Sequence, residues 1–351
     1  MGKRIQPVQI LRYQFALVLF FVFFNVQPAQ SWGGRGHSLI CESAIHLVKN
    51  NTLKQYLINK TNAITYLCNL PDTYWRSVPG AESGGATHFF EIDLVGLTIQ
   101  SVSVNKSFGQ LTQDFKGKQN LITKRPILSV SRELGSSWWR ANQFFNKAVL
   151  AGKKAKLKKT LDRDDQDIFE FWVMMGLLGH FVADNAQPFH NTKNYDGWEN
   201  GHGGIHGYYE SDLVNALPSS VIVDVIKSYP SIEKELDLKN SKTILVNMRN
   251  LSVLSYADLS IIMKNDPLLE PSTSRKEKGM ELKTPAKRKS PDAVIQIFQP
   301  MLVTHLARAA ALLAHTWDQI FEAAGSPPVE LDHSFKFPHQ FPFVEPDYIE
   351  D

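Results

Sequence analysis

The sequence LLGHFVADNAQPFH, residues 177–190, contains two histidines and one aspartate in the pattern H-x3-D-x5-H. Because positions four apart lie on one face of a helix, His180 and Asp184 are predicted to point toward the same spot. Pro188 cannot continue a helix, so the helix should end just before it and let His190 return toward that spot. Two imidazoles and a carboxylate suit a divalent metal such as zinc.

The residues around this stretch predict a mainly α protein. Residues 168–181 are apolar nearly all round, which is typical of a helix buried among others, and Asp164 is the expected N-cap. Further helical patterns cover residues 38–48, 131–150 and 301–324, while strand patterns are few. We therefore expect a single compact multi-helix domain.

The first 31 residues differ from the rest of the chain. Three basic residues precede an unbroken apolar run at residues 15–24, and a small-x-small pattern ends at Ser31. This predicts a signal peptide cleaved after Ser31 and a secreted or periplasmic protein, with an uncleaved membrane anchor as the alternative. The predicted domain covers residues 32–325, and a tail rich in Pro and Phe follows at residues 326–351.

Charge and cysteine content limit the kinds of site. The chain has 38 basic and 35 acidic residues, so loss of the three basic leader residues leaves a formally neutral protein. Proteins that bind long polyanions through many phosphate contacts are usually basic. Cys41 and Cys68 could form a disulfide in an exported protein or remain free thiols. Two cysteines cannot build an all-cysteine zinc site, so metal ligands should be histidines and carboxylates.

Residues 271–291 form a charged segment with Pro and Ser at its ends. We interpret it as a surface loop or a disordered insertion. The alternative is a polybasic surface for a membrane or for nucleic acid.

Three further groups of potential ligands accompany the central helix. His206 and Glu210 are four apart, so both can lie on one helical face. A second group is Asp72 with His88. The third is Trp32 with His37: as a new first residue, Trp32 would offer an α-amine and a carbonyl oxygen that chelate a metal together. One H-x3-D pattern is common by chance, but H-x3-D-x5-H followed closely by H-x3-E is far more specific.

This set resembles the superfamily that unites the zinc-dependent bacterial phospholipases C with the single-strand-specific nucleases of fungi and plants. The resemblance covers residues 32–324 and implies a compact helical domain with three zinc ions in a cleft. It implies a hydrolase that cleaves phosphate esters with a metal-bound hydroxide, without a nucleophilic side chain. The implied ligands are Asp72, His88, His180 and Asp184 for one zinc; His190, His206 and Glu210 for a second; and the Trp32 amine and carbonyl, His37 and the bridging, catalytically essential Asp184 for a third.

The two branches of the superfamily are mixed in this chain. The opening W-x4-H is closer to the nucleases, whereas H-x3-E and its short distance from His190 are closer to the phospholipases. The phosphate-binding arginine of the nucleases has only an approximate counterpart in Arg76, and Arg35 is a second candidate for phosphate. Trp198 and Tyr208 could line the cleft, where aromatic rings would stack a nucleobase or surround a choline headgroup, or they could simply pack.

We therefore expect a phospholipase C-type phosphodiesterase that acts on phospholipid headgroups, with a single-strand-specific nuclease as the alternative. The third hypothesis is a non-catalytic binding protein with structural zinc, but the second cluster has three ligands and leaves one position open for water, which favours catalysis. The expected partners are phospholipid or single-stranded nucleic acid, with transient contact to a membrane surface. We expect a monomer and no nucleotide cofactor.

Overall fold

Helices make up most of the part of the chain that the structure describes, which is residues 32–158, 160, 162, 164–240, 243–277 and 280–349. The predicted signal peptide and its cleavage site at Ser31 lie outside these residues. In this computed structural model the helices are α1 (Gly33–Leu47), α2 (Asn51–Asn59), α3 (Thr61–Asn69), α4 (Phe108–Phe115), α5 (Val130–Leu134), α6 (Ser137–Lys156), α7 (Gln166–Ala186), α8 (Ile205–Gly207), α9 (Leu213–Ala216), α10 (Val221–Lys227), α11 (Tyr229–Glu235), α12 (Ile244–Ala257), α13 (Leu259–Asn265) and α14 (Pro291–Ala323). They enclose one continuous apolar core, so the prediction of a mainly α, single-domain fold is confirmed.

The central helix α7 crosses this core and packs against α1, α3, α6 and α14. Its N-cap is Asp165, one residue after the predicted Asp164, because the Asp165 carboxylate accepts hydrogen bonds from the first free backbone N–H groups of the helix. The helix ends at Ala186, and the backbone of Gln187 is extended before Pro188 begins a 3-10 turn. The proline therefore ends α7 as predicted, and His190 follows on the turn.

The longest helix, α14, begins ten residues before the predicted start and contains Pro300. Pro291 occupies the first turn, where a missing N–H costs nothing. By length and composition α14 could cross a membrane, but 72% of its most apolar window is buried inside the fold. This burial is that of a core helix.

A disulfide joins Cys41 of α1 to Cys68 of α3, with their Cα atoms 6.7 Å apart. The pair lies directly against Gly179 of α7, where a Cβ atom would come within 2.6 Å of one Sγ and 2.7 Å of the other. Glycine at this position thus lets α7 approach the covalently linked pair of helices. The three elements meet one residue before His180.

Residues 271–291 fold differently from the predicted loop or disordered insertion. Strand β1 (Leu268–Glu270) pairs with β4 (Lys287–Arg288), and β2 (Thr273–Glu277) pairs with β3 (Met280–Thr284), both antiparallel. The cross-strand contacts include an ion pair between Lys287 and Glu270 at 2.8 Å. The composition resembles that of a loop, and because both faces of β2 and β3 are exposed, the segment lacks the alternation of apolar and polar residues that predicts a strand.

The C-terminal tail wraps over the surface, where side chains of the domain donate hydrogen bonds to its backbone carbonyls. Trp75 Nε1 donates to the Phe341 carbonyl at 2.9 Å, and the Arg140 guanidinium donates to the Val344 carbonyl. The tail therefore closes one side of the core near the segment that carries Asp72.

Candidate metal centre

Five buried side chains from four parts of the chain meet beside α7, and we call them the inner cluster: His37, Asp72, His88, His180 and Asp184. The helix α7 supplies the last two, whose Nε2 and Oδ2 atoms are 3.2 Å apart, as their i,i+4 spacing predicts. The helix α1 supplies His37, with its Nε2 atom 3.4 Å from the other carboxylate oxygen, Oδ1, of Asp184. The Asp184 carboxylate thus lies between two groups of imidazoles.

The distances within the inner cluster match the edges of a metal-ligand tetrahedron. His88 Nδ1 lies 2.9 Å from both Asp184 Oδ2 and His180 Nε2. Asp72 Oδ1 lies 3.6 Å from His88 Nδ1 and 3.8 Å from His180 Nε2. Two ligands of a tetrahedral zinc ion are about 3.3 Å apart when each lies about 2.0 Å from the ion. These four side chains therefore fit one zinc ion.

Three side chains beyond the end of α7 form the outer cluster: His190, His206 and Glu210. His190 lies on the 3-10 turn that follows Pro188, and His206 lies in the short helix α8. Glu210 lies in a π-helical turn, Tyr208–Asp212, instead of the regular helix that its spacing predicted. Its Oε2 atom is nevertheless 2.8 Å from His206 Nε2 and 3.9 Å from His190 Nε2.

Backbone carbonyls orient the rings of three of these histidines. The Nδ1 atoms of His180, His190 and His206 lie 2.8, 2.7 and 2.9 Å from the carbonyl oxygens of Cys68, His88 and Tyr195, respectively. A carbonyl oxygen can only accept, so Nδ1 carries the proton and Nε2 directs its lone pair into the cluster. Metal-binding histidines are usually held in this way.

Several buried polar atoms in the clusters make no hydrogen bond within the protein. They include both ring nitrogens of His37, Asp72 Oδ2, His190 Nε2 and Glu210 Oε1. Buried polar atoms nearly always have a partner, so atoms that converge without one indicate a place for an ion. The donor set of five imidazoles and three carboxylates fits zinc.

Trp32 links the two clusters. Its backbone nitrogen donates to Glu210 Oε2 at 3.0 Å, and its indole donates to the carbonyl of Ala183, beside Asp184. Trp32 is fully buried and has a left-handed backbone, with φ of 45°. Of the three residues predicted for the third zinc, His37 and Asp184 are in contact, while the Trp32 nitrogen lies against the outer carboxylate.

Burial and neighbouring charges move the pKa values of the carboxylates in the two clusters in opposite directions. Burial opposes ionisation of Asp184, but His180 and the other imidazoles outweigh it and hold the pKa well below its usual range. Burial raises the pKa of Glu210, and His206 only partly offsets this. Burial lowers the pKa of His190 to about 3, which keeps this ring neutral and able to bind a metal.

A cavity of about 280 Å³ opens beside the outer cluster. Its walls include His88, His190, His206 and Arg76, together with Phe89, Glu91, Phe189 and Tyr195, which the sequence analysis did not single out. Phe89 and Phe189 each adjoin a predicted ligand in sequence, which was the signal that could have found them. Burial, followed by the charge of Asp93, raises the pKa of Glu91 well above its usual range. A larger surface cavity of about 680 Å³ near residues 332–337 includes no cluster residue.

Of the predicted substrate contacts, only Arg76 lines this cavity. Its Nη2 and Nε atoms donate to Asp72 Oδ1 at 2.6 and 3.1 Å, so the guanidinium lies at the edge of the inner cluster. Arg35 instead donates to the carbonyls of Val214, Asn215 and Pro218. It precedes His37 by two positions, and residues two apart on a helix point in different directions. The structure thus places the Arg35 guanidinium on backbone carbonyls and outside the lining of the cavity, so a phosphate-binding role for Arg35 stays a prediction that this cavity does not support.

Trp198 and Tyr208 also lie outside the cavity lining. The Trp198 indole donates to Asp196 Oδ2 at 2.7 Å, and the Tyr208 hydroxyl donates to the Lys289 carbonyl at 2.9 Å. Both rings contact the loop and the strands beside the outer cluster, which agrees with the packing alternative for these two residues. Tyr195 is the aromatic residue of this loop that lines the cavity.

No protein-family model matches the chain, and no curated protein matches it significantly. Its function is therefore inferred from the geometry of the two clusters and of the cavity beside them.

Proposed function

We propose that this chain is a secreted zinc-dependent phosphodiesterase of the phospholipase C and single-strand nuclease superfamily, acting on phospholipid headgroups. The observation that carries the proposal is the convergence of five imidazoles and three carboxylates in two buried, adjoining clusters. Their ring nitrogens are oriented by backbone carbonyls, and several of their polar atoms have no partner within the protein. Both features are those of a prepared metal site.

The side chains divide naturally among three ions. Asp72, His88, His180 and Asp184 would hold the first, and the outer cluster would hold the second. The third would be bound by His37, by Oδ1 of Asp184, which faces His37, and by the amine and carbonyl of Trp32 once the leader is removed. When bound, zinc supplies a water activated near neutral pH and positive charge for phosphoryl oxygens.

The protein groups around the cavity support a catalytic role over a structural one. The cavity reaches His190 and His206, so a substrate phosphate can approach the outer cluster. Arg76 lies on the wall with a partly exposed guanidinium, where it can pair with a phosphoryl oxygen while it holds Asp72. Phe89, Phe189 and Tyr195 add aromatic surface to the same wall.

The covalent link between Cys41 and Cys68 supports the proposal of secretion. Disulfides persist mainly in oxidising compartments, to which a cleaved leader would deliver the protein.

The test is a metal and activity measurement on purified protein whose N-terminal residue has been determined. We expect Trp32 as the first residue, about three zinc ions per chain as the resemblance implies, and hydrolysis of phosphatidylcholine that a chelator abolishes and zinc restores. Full activity in the chelated protein would refute the proposal. A protein that binds zinc but cleaves no phosphodiester would instead support the structural-zinc hypothesis.

The second candidate function is a single-strand-specific nuclease. Phe89, Phe189 and Tyr195 favour it, because aromatic rings on the wall of a phosphodiesterase cavity can stack nucleobases. The same preparation should be assayed on phosphatidylcholine and on single-stranded DNA. Hydrolysis of DNA alone would replace the phospholipid assignment while leaving the metal chemistry intact.

A further inference from the structure

A strand-built projection lies beside the outer cluster, and we call its described residues, 268–277 and 280–289, the basic arm. Its two strand pairs are almost entirely exposed, and every described residue of β2 and β3 faces solvent. An isolated two-stranded ribbon is marginally stable in water, so such an arm needs contacts at its root. Those contacts are made with the loop that positions His206 of the outer cluster.

The root of the arm is fixed to the loop that positions His206. Arg288 is buried and pairs with the buried carboxylate of Asp266, at 2.8 Å from Nε to Oδ1, and it also donates to the His202 carbonyl. The backbone N–H groups of Ser272 and Ala286 donate to carbonyls of the same loop, at Gly201 and Gly203. Earlier in the same loop, the Tyr195 carbonyl accepts from the His206 ring and the Asp196 carboxylate accepts from the His206 backbone N–H.

The register of β2 and β3 determines which side chains point away from the protein. Ser274 is opposite Lys283, and Arg275 is opposite Leu282, so these two pairs lie on different faces of the ribbon. The Lys283 ammonium lies over the Trp198 ring at 5.1 Å, which turns that face toward the loop. Leu282 and Met280 therefore point outward, with 38% and 63% of their surfaces exposed.

The arm is also rich in basic residues. From Pro271 to Pro291 the sequence has seven basic and two acidic residues. The exposed apolar side chains of Met280 and Leu282 would make no favourable contact with the phosphates of a nucleic acid. The segment contains no aromatic residue with which to stack a base. Basic residues around exposed Met and Leu suit the interface of an anionic bilayer.

We infer that the basic arm is a membrane-docking element, which binds anionic phospholipid surfaces through its lysines and arginines and inserts Met280 and Leu282 among the headgroups. The inference extends the proposed function, on which it rests only for its catalytic consequence. Because the arm is rooted on the loop of His206, docking would hold the cavity beside the bilayer that carries the substrate.

The test is sedimentation of the zinc-loaded protein with vesicles of phosphatidylcholine alone or of an equal mixture with phosphatidylglycerol. We expect binding to the mixed vesicles that weakens with salt. The paired variant Met280→Ser and Leu282→Ser should lower binding roughly tenfold, because two partly buried apolar side chains are lost. The paired variant Arg275→Ser and Lys276→Ser should also lower it roughly tenfold.

Matched controls come from the surface of α6, which lies outside the arm. Leu150→Ser removes an exposed leucine, and the paired variant Lys153→Ser and Lys154→Ser removes two exposed lysines, so neither should change vesicle binding. All variants should hydrolyse monomeric dibutyryl phosphatidylcholine at the wild-type rate, while the arm variants hydrolyse vesicles more slowly.

Each outcome has a separate meaning. The inference would be overturned if the wild-type protein did not bind anionic vesicles. It would also be overturned if the arm variants bound them as tightly as the wild type. Binding of single-stranded DNA through the arm without vesicle binding would overturn it as well. Arm-dependent vesicle binding without any phosphodiesterase activity would preserve the inference and remove the proposed function instead.

Discussion

The inner and outer clusters use the same ligand types on very different backbones. The inner cluster is built around α7, a regular helix covered on all sides, and Asp184 has no exposed surface. The outer cluster is built on a 3-10 turn, the one-turn helix α8 and a π-helical turn, and it faces the cavity. The inner cluster thus lies on regular, buried backbone, and the outer cluster lies on irregular backbone that reaches the cavity.

The two clusters also differ in the charge that their carboxylates supply. Two carboxylates, Asp72 and Asp184, serve the inner cluster, and the pKa of both is lowered by neighbouring histidines against the effect of burial. The outer cluster has Glu210 alone, whose pKa is raised by burial. A divalent cation therefore finds more compensating charge in the inner cluster and should be released first from the outer one.

The largest effect is expected from Asp184→Asn, because both oxygens of this carboxylate face histidines of the inner cluster. Activity should fall by at least about a hundredfold, since even partners outside the ligand shell of a metal cost up to about that much. Metal analysis should show loss of the inner ions as well. The control is Asp332→Asn, which removes another buried carboxylate, bonded to Tyr56 and Lys60. Its metal content should equal that of the wild type, and an active Asp184→Asn protein would contradict the comparison.

Replacing Cys41 and Cys68 by serine should lower the free energy of unfolding, because the disulfide joins two helices that pack beside the inner cluster. The bond closes a sequence separation of 27 residues. Loss of a loop of this size lowers the free energy of unfolding by about 3–4 kcal/mol in the chain-entropy account. Urea unfolding of the oxidised wild type and the double variant measures the difference. Equal stabilities would show that the helices around His180 do not depend on the bond.

The variant Glu210→Gln tests the outer cluster alone. It keeps the shape of the side chain but removes the only carboxylate, so zinc affinity there should fall roughly 10- to 100-fold. Chelator titration should show one ion lost early, with the inner ions retained. Simultaneous loss of all ions would mean that the two clusters are not separable.

Low pH should lower the free energy of unfolding through His305, which contacts Tyr209, the residue before Glu210 of the outer cluster. This buried ring contacts the Tyr209 hydroxyl at 2.8 Å and Asp258 Oδ2 at 2.9 Å. Burial lowers the pKa of His305, so the unfolded chain takes up a proton first as the pH falls. Its contribution to stability is therefore full above about pH 6.5 and decreases below that value. Between about pH 7.5 and pH 5.5, zinc-loaded His305→Gln should lose less unfolding free energy than the wild type. An equal loss would exclude His305 as the source.

The smallest effect is expected from Arg35→Gln, with Arg76→Gln as its counterpart. Arg35 binds three backbone carbonyls away from the cavity, so its loss should reduce stability slightly and leave KM unchanged. Arg76 lines the cavity, so its loss should raise KM or lower kcat. Steady-state kinetics on a soluble diester distinguish the two, and a kinetic effect confined to Arg35 would reverse their assignment.

The sequence predicted what depends on local spacing. The i,i+4 pair His180 and Asp184, the end of α7 before Pro188 and the mainly α fold all follow from helix geometry. The direction of Arg35, Trp198 and Tyr208 did not follow, because closeness to a ligand along the chain does not fix where a side chain points. The strand pairs of residues 268–288 were missed because β2 and β3 are exposed on both faces and therefore lack the apolar alternation that marks a half-buried strand.

The two oxygens of the Asp184 carboxylate are divided between His37 on one side and the pair of His88 and His180 on the other. Binding of one ion would fix the orientation of this carboxylate and so prepare the remaining oxygen for the next. Occupancy within the inner cluster is then cooperative. At limiting metal, the inner cluster would then be either filled or empty in most molecules, whatever the state of the outer cluster.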